Sequence, residues 1–235
     1  MLKLIEGYLK TKIVTEDIHT RDNLSLTRGL PVIDQNRCRP GCQLCAAACP
    51  TGAMVEKQVA AKACIYCHRC RNACPAGAIA TTSPPLISGA PELLQETLRE
   101  RIKKICRKSL HIRYVDTGSC NGCDFEINSL TNPFYDIQQY GIDFVPSPRH
   151  ADMLIVTGVV TRNMEIALKK TYEACPKPTL VVAVGACACG GGMFKDAYAA
   201  GGGVDQHLPV DVYIPGCPPT PALILEGILK AVNRI

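Results

Sequence analysis

The sequence contains no tryptophan, and aromatic side chains make up only 5% of its residues. Proteins that bind single-stranded nucleic acids stack bases on aromatic rings, so this chain offers little for bases to stack on. Its longest apolar runs, such as MLIVTGVV and TLVVAVGACA, are far shorter than the roughly 20 residues that a membrane-spanning helix needs. The first ten residues lack a long apolar core and a small-residue cleavage site, so we expect no export signal.

Two further absences concern ligands and substrates. No glycine-rich stretch follows a strand and opens a helix in the G-x-G-x-x-G order, so we expect no bound nucleotide. The chain also lacks a paired acid and base or an activated nucleophile, so we expect chemistry on a substrate to occur on another chain.

The formal charge of +5 counts every cysteine as a neutral thiol. Thiolates that hold metal would offset this charge, and we therefore expect no nucleic-acid partner.

Cysteine, in contrast, is abundant, with 15 in 235 residues. Without an export signal the thiols are expected to stay reduced, and dense reduced cysteine indicates metal binding or catalysis rather than disulfides. Eight of the cysteines lie in an internal repeat over 31–80. Each half of the repeat has a short extended run, a cysteine series that ends in Cys-Pro, and a short apolar tail. Such repetition predicts a small module with approximate twofold symmetry.

The second half of the repeat has the spacing C-x2-C-x2-C-x3-C-P, which matches bacterial-type ferredoxins that hold two [4Fe–4S] clusters. In that design the fourth cysteine of each run binds the other cluster. We therefore predict a small α+β bacterial-ferredoxin-like domain over 31–80. The predicted ligands are Cys38, Cys42, Cys45 and Cys74 for cluster A, and Cys64, Cys67, Cys70 and Cys49 for cluster B.

The first run departs from this spacing, because three residues separate Cys38 from Cys42. Pro40 and Gly41 form a turn dipeptide, so the additional residue can be looped out while the cluster is retained. Paired Cys-x-x-Cys motifs could instead hold two zinc ions. Zinc binding, however, gives no reason for a Cys-Pro ending in both halves.

The rest of the chain is predicted to form an N-terminal segment over 1–30, a linker and basic helix over 81–110, and a larger domain over 111–235. In the larger domain, short runs rich in apolar and β-branched residues alternate with helical patterns. The five runs are HIRYVD, IDFVP, DMLIVTG, TLVVAVG and VDVYIPG. This alternation predicts an α/β domain with a flavodoxin-like, doubly wound parallel sheet.

Four cysteines of the larger domain follow predicted strand ends: Cys120 and Cys123 after the first strand, Cys187 after the fourth, and Cys217 after the fifth. The carboxyl ends of parallel strands meet at one edge of a sheet, where ligands bind. We therefore expect these thiols to meet as ligands of a [4Fe–4S] cluster or of an all-cysteine zinc ion. A thioredoxin-like dithiol is disfavoured because two more cysteines reach the same edge.

Residues 111–235 also resemble a known family. Their stretches SCNGCDFEI, VPSPRHAD, TGVVTR, GAC with a glycine run, and VDVYIPGCPPTP are similar to the small subunit of group 4, energy-converting membrane-bound [NiFe]-hydrogenases of the formate hydrogenlyase type. That subunit is related to the 20-kDa subunit of respiratory complex I. The resemblance implies that Cys120, Cys123, Cys187 and Cys217 hold the [4Fe–4S] cluster closest to the active site of a large subunit. The complex I relatives have adjacent cysteines in the first motif, so the Cys-x-x-Cys of this chain favours a hydrogenase.

The resemblance implies an electron-transfer subunit of an oxidoreductase complex, with three [4Fe–4S] clusters and no substrate-converting centre of its own. Electrons from soluble ferredoxin or another iron–sulfur subunit would pass through clusters A and B, in an order that the sequence leaves open, to the NiFe site of the large subunit. Membrane subunits of the same complex would couple this flow to ion translocation and hold the chain at the cytoplasmic face. The alternatives are a nickel-free, complex I-like dehydrogenase that reduces a quinone or similar acceptor, and a zinc-binding structural protein.

Three other cysteines and one acid are weighed beside these ligands. Cys189 could compete with Cys187, but Cys187 follows the strand directly and matches the position in the family. Cys106 and Cys175 lack cysteine neighbours and are expected to be buried or idle thiols. Glu126 is predicted to be an acid of the first turn of a helix.

Overall fold

The computed structural model describes residues 14–15, 28–82, 87–88, 109–232 and 234. It begins with a small unit of four short strands and two single-turn helices. These elements are β1 (Leu30–Ile33), α1 (Leu44–Ala47), β2 (Met54–Val55), β3 (Gln58–Val59), α2 (Arg69–Asn72) and β4 (Ile79–Thr82). Strand β1 pairs antiparallel with β4, and β2 pairs antiparallel with β3. The two halves of the repeat therefore meet, because β1 opens the first half and β4 closes the second.

The small unit buries few side chains, and several of them are cysteines. Cys45 and Cys70 are buried with Met54 and Ile79, whereas Cys64 is buried in a separate cluster that includes Leu30. A unit of this size has little apolar surface to bury. Metal bound by these cysteines would therefore contribute directly to the free energy of folding.

The larger domain is built on a six-stranded sheet. Its strands are β5 (Ile87–Ser88), β6 (Leu110–Asp116), β7 (Ile142–Phe144), β8 (Met153–Thr157), β9 (Leu180–Val184) and β10 (Val212–Ile214). Its α-helices are α3 (Gly122–Ser129), α4 (Arg162–Ala174), α5 (Ala186–Gly190) and α6 (Pro221–Ala231). Short 3-10 turns cover Ile137–Tyr140, Pro148–His150, Gly192–Phe194 and Val204–Gln206. In the described part of the chain, no helix is both long and apolar enough to cross a membrane.

The strands lie in the order β5-β10-β9-β8-β6-β7. All neighbours from β10 to β7 are parallel, whereas β5 is an antiparallel strand at the edge. Among the parallel strands, numbered along the chain, the order is 2-1-3-4-5. This is the flavodoxin-like doubly wound order. The predicted fold class of the larger domain is confirmed, and each of the five predicted runs coincides with a strand, although β6 begins one residue before its run, at Leu110.

Two features of the segment over 81–110 differ from the sequence prediction. Ile87 and Ser88, inside the predicted linker, pair with the edge strand β10. Pro and Gly around them break regular structure, but two extended residues between these breakers suffice for an edge pairing. The predicted basic helix lies outside the described residues except at its last two positions, and Leu110 there begins β6.

The central strands β8 and β9 are buried along their whole length, and the contacts of β8 show why their residues are almost all apolar. Met153 and Ile155 face a core that includes α6, whereas Leu154 and Val156 face a second core that includes Leu168 of α4. A parallel sheet with helices on both faces buries both sides of its strands. Periodicity of two is therefore absent from β8 and β9, whereas β6 keeps the polar residues His111, Arg113 and Asp116 at partly exposed positions.

The substitution Ile155→Ala is expected to lower the free energy of unfolding by about 2–5 kcal/mol, because this fully buried side chain would leave a cavity. Urea titration followed by circular dichroism would measure the change. Ile166→Ala is the matched control, since this α4 side chain is 65% exposed. Its effect should stay within about 0.5 kcal/mol, and equal losses in both variants would contradict the assignment of the core.

Candidate metal centres

Three loops bring four cysteines together at the carboxyl edge of the sheet; we call these residues the sheet-edge site. Cys120 lies just before α3 and Cys123 within it, Cys187 lies in α5 after β9, and Cys217 follows β10. Burial raises the pKa of Cys123 to about 12, and repulsion from the thiols of the other three adds to this shift. Burial likewise raises the pKa of Cys187 to about 11, with further repulsion from Cys217 and Cys120. Such crowded neutral thiols would lose their protons only to a strong cation such as iron.

The loop that carries Cys120 is closed by hydrogen bonds from two of its own side chains, Asp116 and Ser119. The carboxylate of Asp116 accepts from the backbone N–H of Gly118 at 2.9 Å and from the hydroxyl of Ser119 at 2.8 Å. The Ser119 hydroxyl in turn accepts from the N–H of Asn121 at 3.0 Å. Because these contacts close the turn between β6 and α3, they fix the direction in which Cys120 leaves the sheet.

Two glycines keep space open beside the sulfurs of this site. A Cβ atom at Gly185, where φ is +90°, would lie 2.4 Å from the Sγ atom of Cys123. A Cβ atom at Gly192, where φ is +53°, would lie 2.9 Å from the Sγ atom of Cys187. Only glycine combines this backbone conformation with so close an approach. The backbone N–H of Met193 also donates to the Cys187 thiol, as second-shell donors do in cluster sites.

The other described cysteines of the larger domain lie in its core. Cys189 is buried, and its thiol donates to the carbonyl oxygen of Ala183 at 3.6 Å. Cys175 is also buried, and its thiol donates to the carbonyl oxygen of Thr171 at 3.3 Å. These positions favour Cys187 over Cys189 as the ligand. Cys106 lies outside the described residues.

The eight cysteines of the small unit line two separate cavities. We call the first site A; its cysteines are Cys38, Cys42, Cys45 and Cys74. The second is site B, with Cys49, Cys64, Cys67 and Cys70. Each cavity takes three cysteines from one run and one from the other, which is the crossed grouping that the ferredoxin spacing predicts.

Local structure makes both cavities suitable for a cluster. Gly41, in the first run, has a φ of +71° with open space around it, so the additional residue there sits in a turn. Backbone N–H groups also point at ligand sulfurs. That of Ala78 donates to Cys74 at 3.3 Å, and that of Tyr66 donates to Cys64 at 3.4 Å. Such donors stabilise the negative charge of cluster sulfurs.

A single metal ion would need its ligands to converge on one point, at about 2.3 Å for a zinc–sulfur bond. Among the residues that the structure describes, no three His, Cys, Asp or Glu side chains converge in this way. A cubane binds each of its four cysteines through a different iron atom. The wider placement of these thiols is therefore compatible with a four-iron cluster.

Glu126 differs from its prediction. Helix α3 begins at Gly122, so Asp124 occupies the first turn and Glu126, the fifth residue, lies in the second turn. Glu126 lines a cavity that also contains Cys217, and burial raises the pKa of its carboxyl group. The helix begins earlier than predicted, with Asn121 at its N-cap position and Asp124 as the acid of its first turn.

Comparison with known proteins gives matches that centre on the larger domain. Residues 120–231 match the family described as NADH ubiquinone oxidoreductase, 20 Kd subunit. A probable membrane-bound hydrogenase subunit, mbhJ, of Pyrococcus furiosus is 42% identical over 144 residues, which are 60% of this chain and 86% of that protein. Formate hydrogenlyase subunit 7 of Escherichia coli is 47% identical over 134 residues, 57% of this chain and 52% of that protein. The chain thus spans about half the length of the E. coli subunit.

A third relative belongs to a different class of complex. A subunit of the NADH-quinone oxidoreductase of Citrifermentans bemidjiense is 48% identical over 113 residues, which are 48% of this chain and 66% of that protein. The family match contains all four cysteines of the sheet-edge site and none of the eight in the small unit.

Proposed function

This chain belongs to the family of the 20-kDa subunit of NADH:ubiquinone oxidoreductase, and from that premise we propose that it transfers electrons within a [NiFe]-hydrogenase complex. Relatives in this family hold a [4Fe–4S] cluster. The observation that carries the proposal is the meeting of Cys120, Cys123, Cys187 and Cys217 at the carboxyl edge of the sheet. The first loop contains Cys-x-x-Cys, and two relatives are named as hydrogenase subunits. Both observations favour a hydrogenase over a quinone-linked dehydrogenase.

Three [4Fe–4S] clusters would be bound, at site A, at site B and at the sheet-edge site. Each bound cluster supplies the reversible uptake of one electron. The chain itself positions the clusters and sets their environment. Cys123 and Cys187 are partly buried, whereas Cys120 and Cys217 are exposed, and the N–H of Met193 would stabilise charge on the Cys187 sulfur. Proton chemistry would take place on the large subunit.

Large apolar side chains are exposed on both sides of the sheet-edge site. Phe125, two residues after Cys123, is 72% exposed, and Met193 and Phe194 are also exposed beside Cys187. Exposed apolar side chains next to a functional site are typical of a protein interface. We assign this face to the hydrogenase large subunit, because the last cluster must lie close to the NiFe centre that it serves.

Phe125→Glu is expected to reduce recovery of the large subunit at least about tenfold in a pull-down through a tag on this chain, as for a hot-spot residue. Iron bound to this chain should not change. Ile166→Glu is the matched control, since Ile166 is 65% exposed on α4 and should retain the large subunit. Equal recovery with Phe125→Glu and with the unmodified chain would contradict this docking face.

The small unit is the proposed entry for electrons from soluble ferredoxin or another iron–sulfur subunit. A relative is named as a membrane-bound hydrogenase subunit, which supports a peripheral position for this chain, held by membrane subunits of the complex at its cytoplasmic face. Those subunits would couple electron flow to ion translocation. The direction of turnover follows from the potentials of the donor and of hydrogen.

Metal analysis of the complex, purified without oxygen through a tag on this chain, tests the proposal. We expect about twelve iron atoms per chain, in addition to iron on partners, and about one nickel per complex. The same iron without nickel would favour a quinone-linked dehydrogenase, in line with the NADH-quinone oxidoreductase relative. Zinc without iron would instead identify a structural protein.

A further inference from the structure

A cavity of about 310 Å³ lies beside the sheet-edge site, between the small unit and the larger domain. Part of its lining is the loop that leads from β10 to α6 and carries Cys217. Another part is the segment that precedes β1 of the small unit, which contributes Arg28 and Gly29. Cys217 is exposed, so this ligand of the sheet-edge site borders the cavity instead of the apolar core. Groups across the cavity can therefore act on a cluster held there.

The backbone at Gly29 determines where Arg28 enters this cavity. The φ angle of Gly29 is +73°, and a Cβ atom there would lie 2.9 Å from the carbonyl oxygen of Thr82. The Gly29 carbonyl oxygen accepts a hydrogen bond from the Nε2 atom of His68 at 3.1 Å. Leu30, which follows, begins β1 and pairs with Thr82 of β4. Because Gly29 is held between β4 and the loop of site B, the residue before it starts from a fixed point at the cavity.

Two charged side chains line this cavity among the residues that the structure describes, Arg28 and Glu126. The guanidinium group of an arginine is always protonated in proteins, so Arg28 supplies a permanent positive charge. The Glu126 carboxyl group supplies a negative charge when it is ionised, but burial raises its pKa and so disfavours that form. The cavity therefore has a fixed positive charge on the side of the small unit.

A positive charge near an iron–sulfur cluster favours the reduced form of the cluster. Reduction of a [4Fe–4S] cluster adds one negative charge, and its potential depends on charge, hydrogen bonds to the sulfurs and solvent exposure. The attraction between opposite charges falls with distance and with the dielectric constant of the medium between them. Arg28 is exposed, so water and dissolved ions weaken this attraction. The sign of the charge fixes the direction of the effect, and the exposure limits its size.

We propose that Arg28 raises the reduction potential of the cluster at the sheet-edge site through its charge across this cavity. This role rests on the proposed function, because it assumes a [4Fe–4S] cluster at that site. The cluster gains or loses one electron, while the protonation of Arg28 does not change. Arg28 lies outside residues 120–231, which match the family of the 20-kDa subunit. The small unit thus contributes a charge to a site whose four ligands belong to the larger domain.

A redox titration of the complex with dithionite, without oxygen, tests this role through the low-temperature EPR signal that Cys217→Ala removes. Arg28→Gln is expected to lower the equilibrium constant for one-electron reduction of that cluster at least about threefold. This change corresponds to about 28 mV, since a tenfold change is 59 mV for one electron. Arg28→Lys keeps the charge, and its potential should lie closer to that of the unmodified complex than to that of Arg28→Gln. Equal potentials in Arg28→Gln and in the unmodified complex would overturn the proposal.

Arg39→Gln is the matched control, because it also removes one exposed arginine of the small unit. Arg39 lines site A, and no described residue lines both site A and the cavity beside Cys217. We expect this variant to leave the potential of the sheet-edge cluster unchanged, and both variants to retain their iron. Equal shifts in Arg28→Gln and Arg39→Gln would overturn the proposal, because the overall loss of positive charge would then account for both.

Ionic strength distinguishes an effect of charge from an effect of packing. The Debye length falls from about 30 Å at 0.01 M salt to about 10 Å at 0.1 M salt. The difference in potential between the unmodified complex and Arg28→Gln should therefore be smaller at the higher concentration. A difference of the same size at both concentrations would overturn a role that depends on the charge of this exposed side chain.

These measurements separate the role of Arg28 from the proposed function. Reduction potentials can be measured without nickel and without hydrogen turnover. A nickel-free complex in which Arg28→Gln lowers the potential would retain the role of Arg28 and reject the hydrogenase. A nickel-containing complex with equal potentials would overturn the role of Arg28 alone, and a complex without iron–sulfur signals would overturn both.

Discussion

Cys217→Ala is expected to remove one [4Fe–4S] cluster and to abolish hydrogen turnover by the complex, while both clusters of the small unit remain. Cys217 contributes one of four thiols at the sheet-edge site, and its loop supplies no second cysteine. Iron bound to the chain should fall from about twelve to about eight atoms, and hydrogen turnover to less than about 1% of the unmodified complex. Iron analysis, EPR and a hydrogen assay with an artificial electron donor would measure these changes.

Cys189→Ala is the matched control for this prediction. Its thiol is buried and donates to the Ala183 carbonyl in the core, so it is not counted among the ligands. Iron content and EPR signals should remain those of the unmodified complex. Full turnover in Cys217→Ala, or loss of a cluster in Cys189→Ala, would contradict the assigned ligand set.

Gly185→Ala is expected to prevent assembly of the same cluster without changing any cysteine. The new methyl group would lie 2.4 Å from the Cys123 sulfur, and the φ of +90° is strained for alanine. Because α5 follows at once and carries Cys187, the backbone has little freedom to relieve this contact. About four iron atoms per chain should be lost, together with the EPR signal of the sheet-edge site.

Gly122→Ala is the matched control, which tests whether any added methyl group beside a ligand cysteine causes the loss of iron expected for Gly185→Ala. Gly122 also lies beside a ligand, but its added Cβ atom would be 3.6 Å from the Cys120 sulfur, an ordinary contact distance. It is the first residue of α3, where alanine is well tolerated. This variant should retain its full iron content. Equal iron in the Gly185 and Gly122 variants would show that close approach at Gly185 is not required.

Features that depend on local sequence could be predicted. The runs DMLIVTG and TLVVAVG predicted buried parallel strands, because a strand covered by helices on both faces needs apolar residues on both. The start of α6 is also set locally, by Pro221 at its first position and by Thr220, which accepts from the N–H of Leu223. Cysteine spacing within each run likewise predicted which thiols share a cavity in the small unit.

Features that depend on pairing between distant segments could not be predicted. The strand order 2-1-3-4-5 is one of several that alternating strands and helices allow. Strand β5 is too short to give a periodic signal. Lys62, whose Nζ atom lies 4.0 Å from a carboxylate oxygen of Asp205, and Lys195, which donates to the carbonyl oxygen of Thr51, join the small unit to the larger domain. Nothing in the sequence around them distinguishes them from solvated lysines. The cavity that Tyr66 and Cys217 line together likewise depends on how these distant segments pack.

The crossed grouping of cysteines in the small unit has a consequence for its maturation. On the proposed ligand sets, each cluster takes Cys49 or Cys74 from the run that serves mainly the other cluster. A chain loaded at only one cavity would therefore join both halves of the repeat while the thiols of the other cavity stay unprotected. Iron insertion into the two cavities is expected to be cooperative, so that half-loaded chains are scarce, and damage by oxygen at either cavity should empty both.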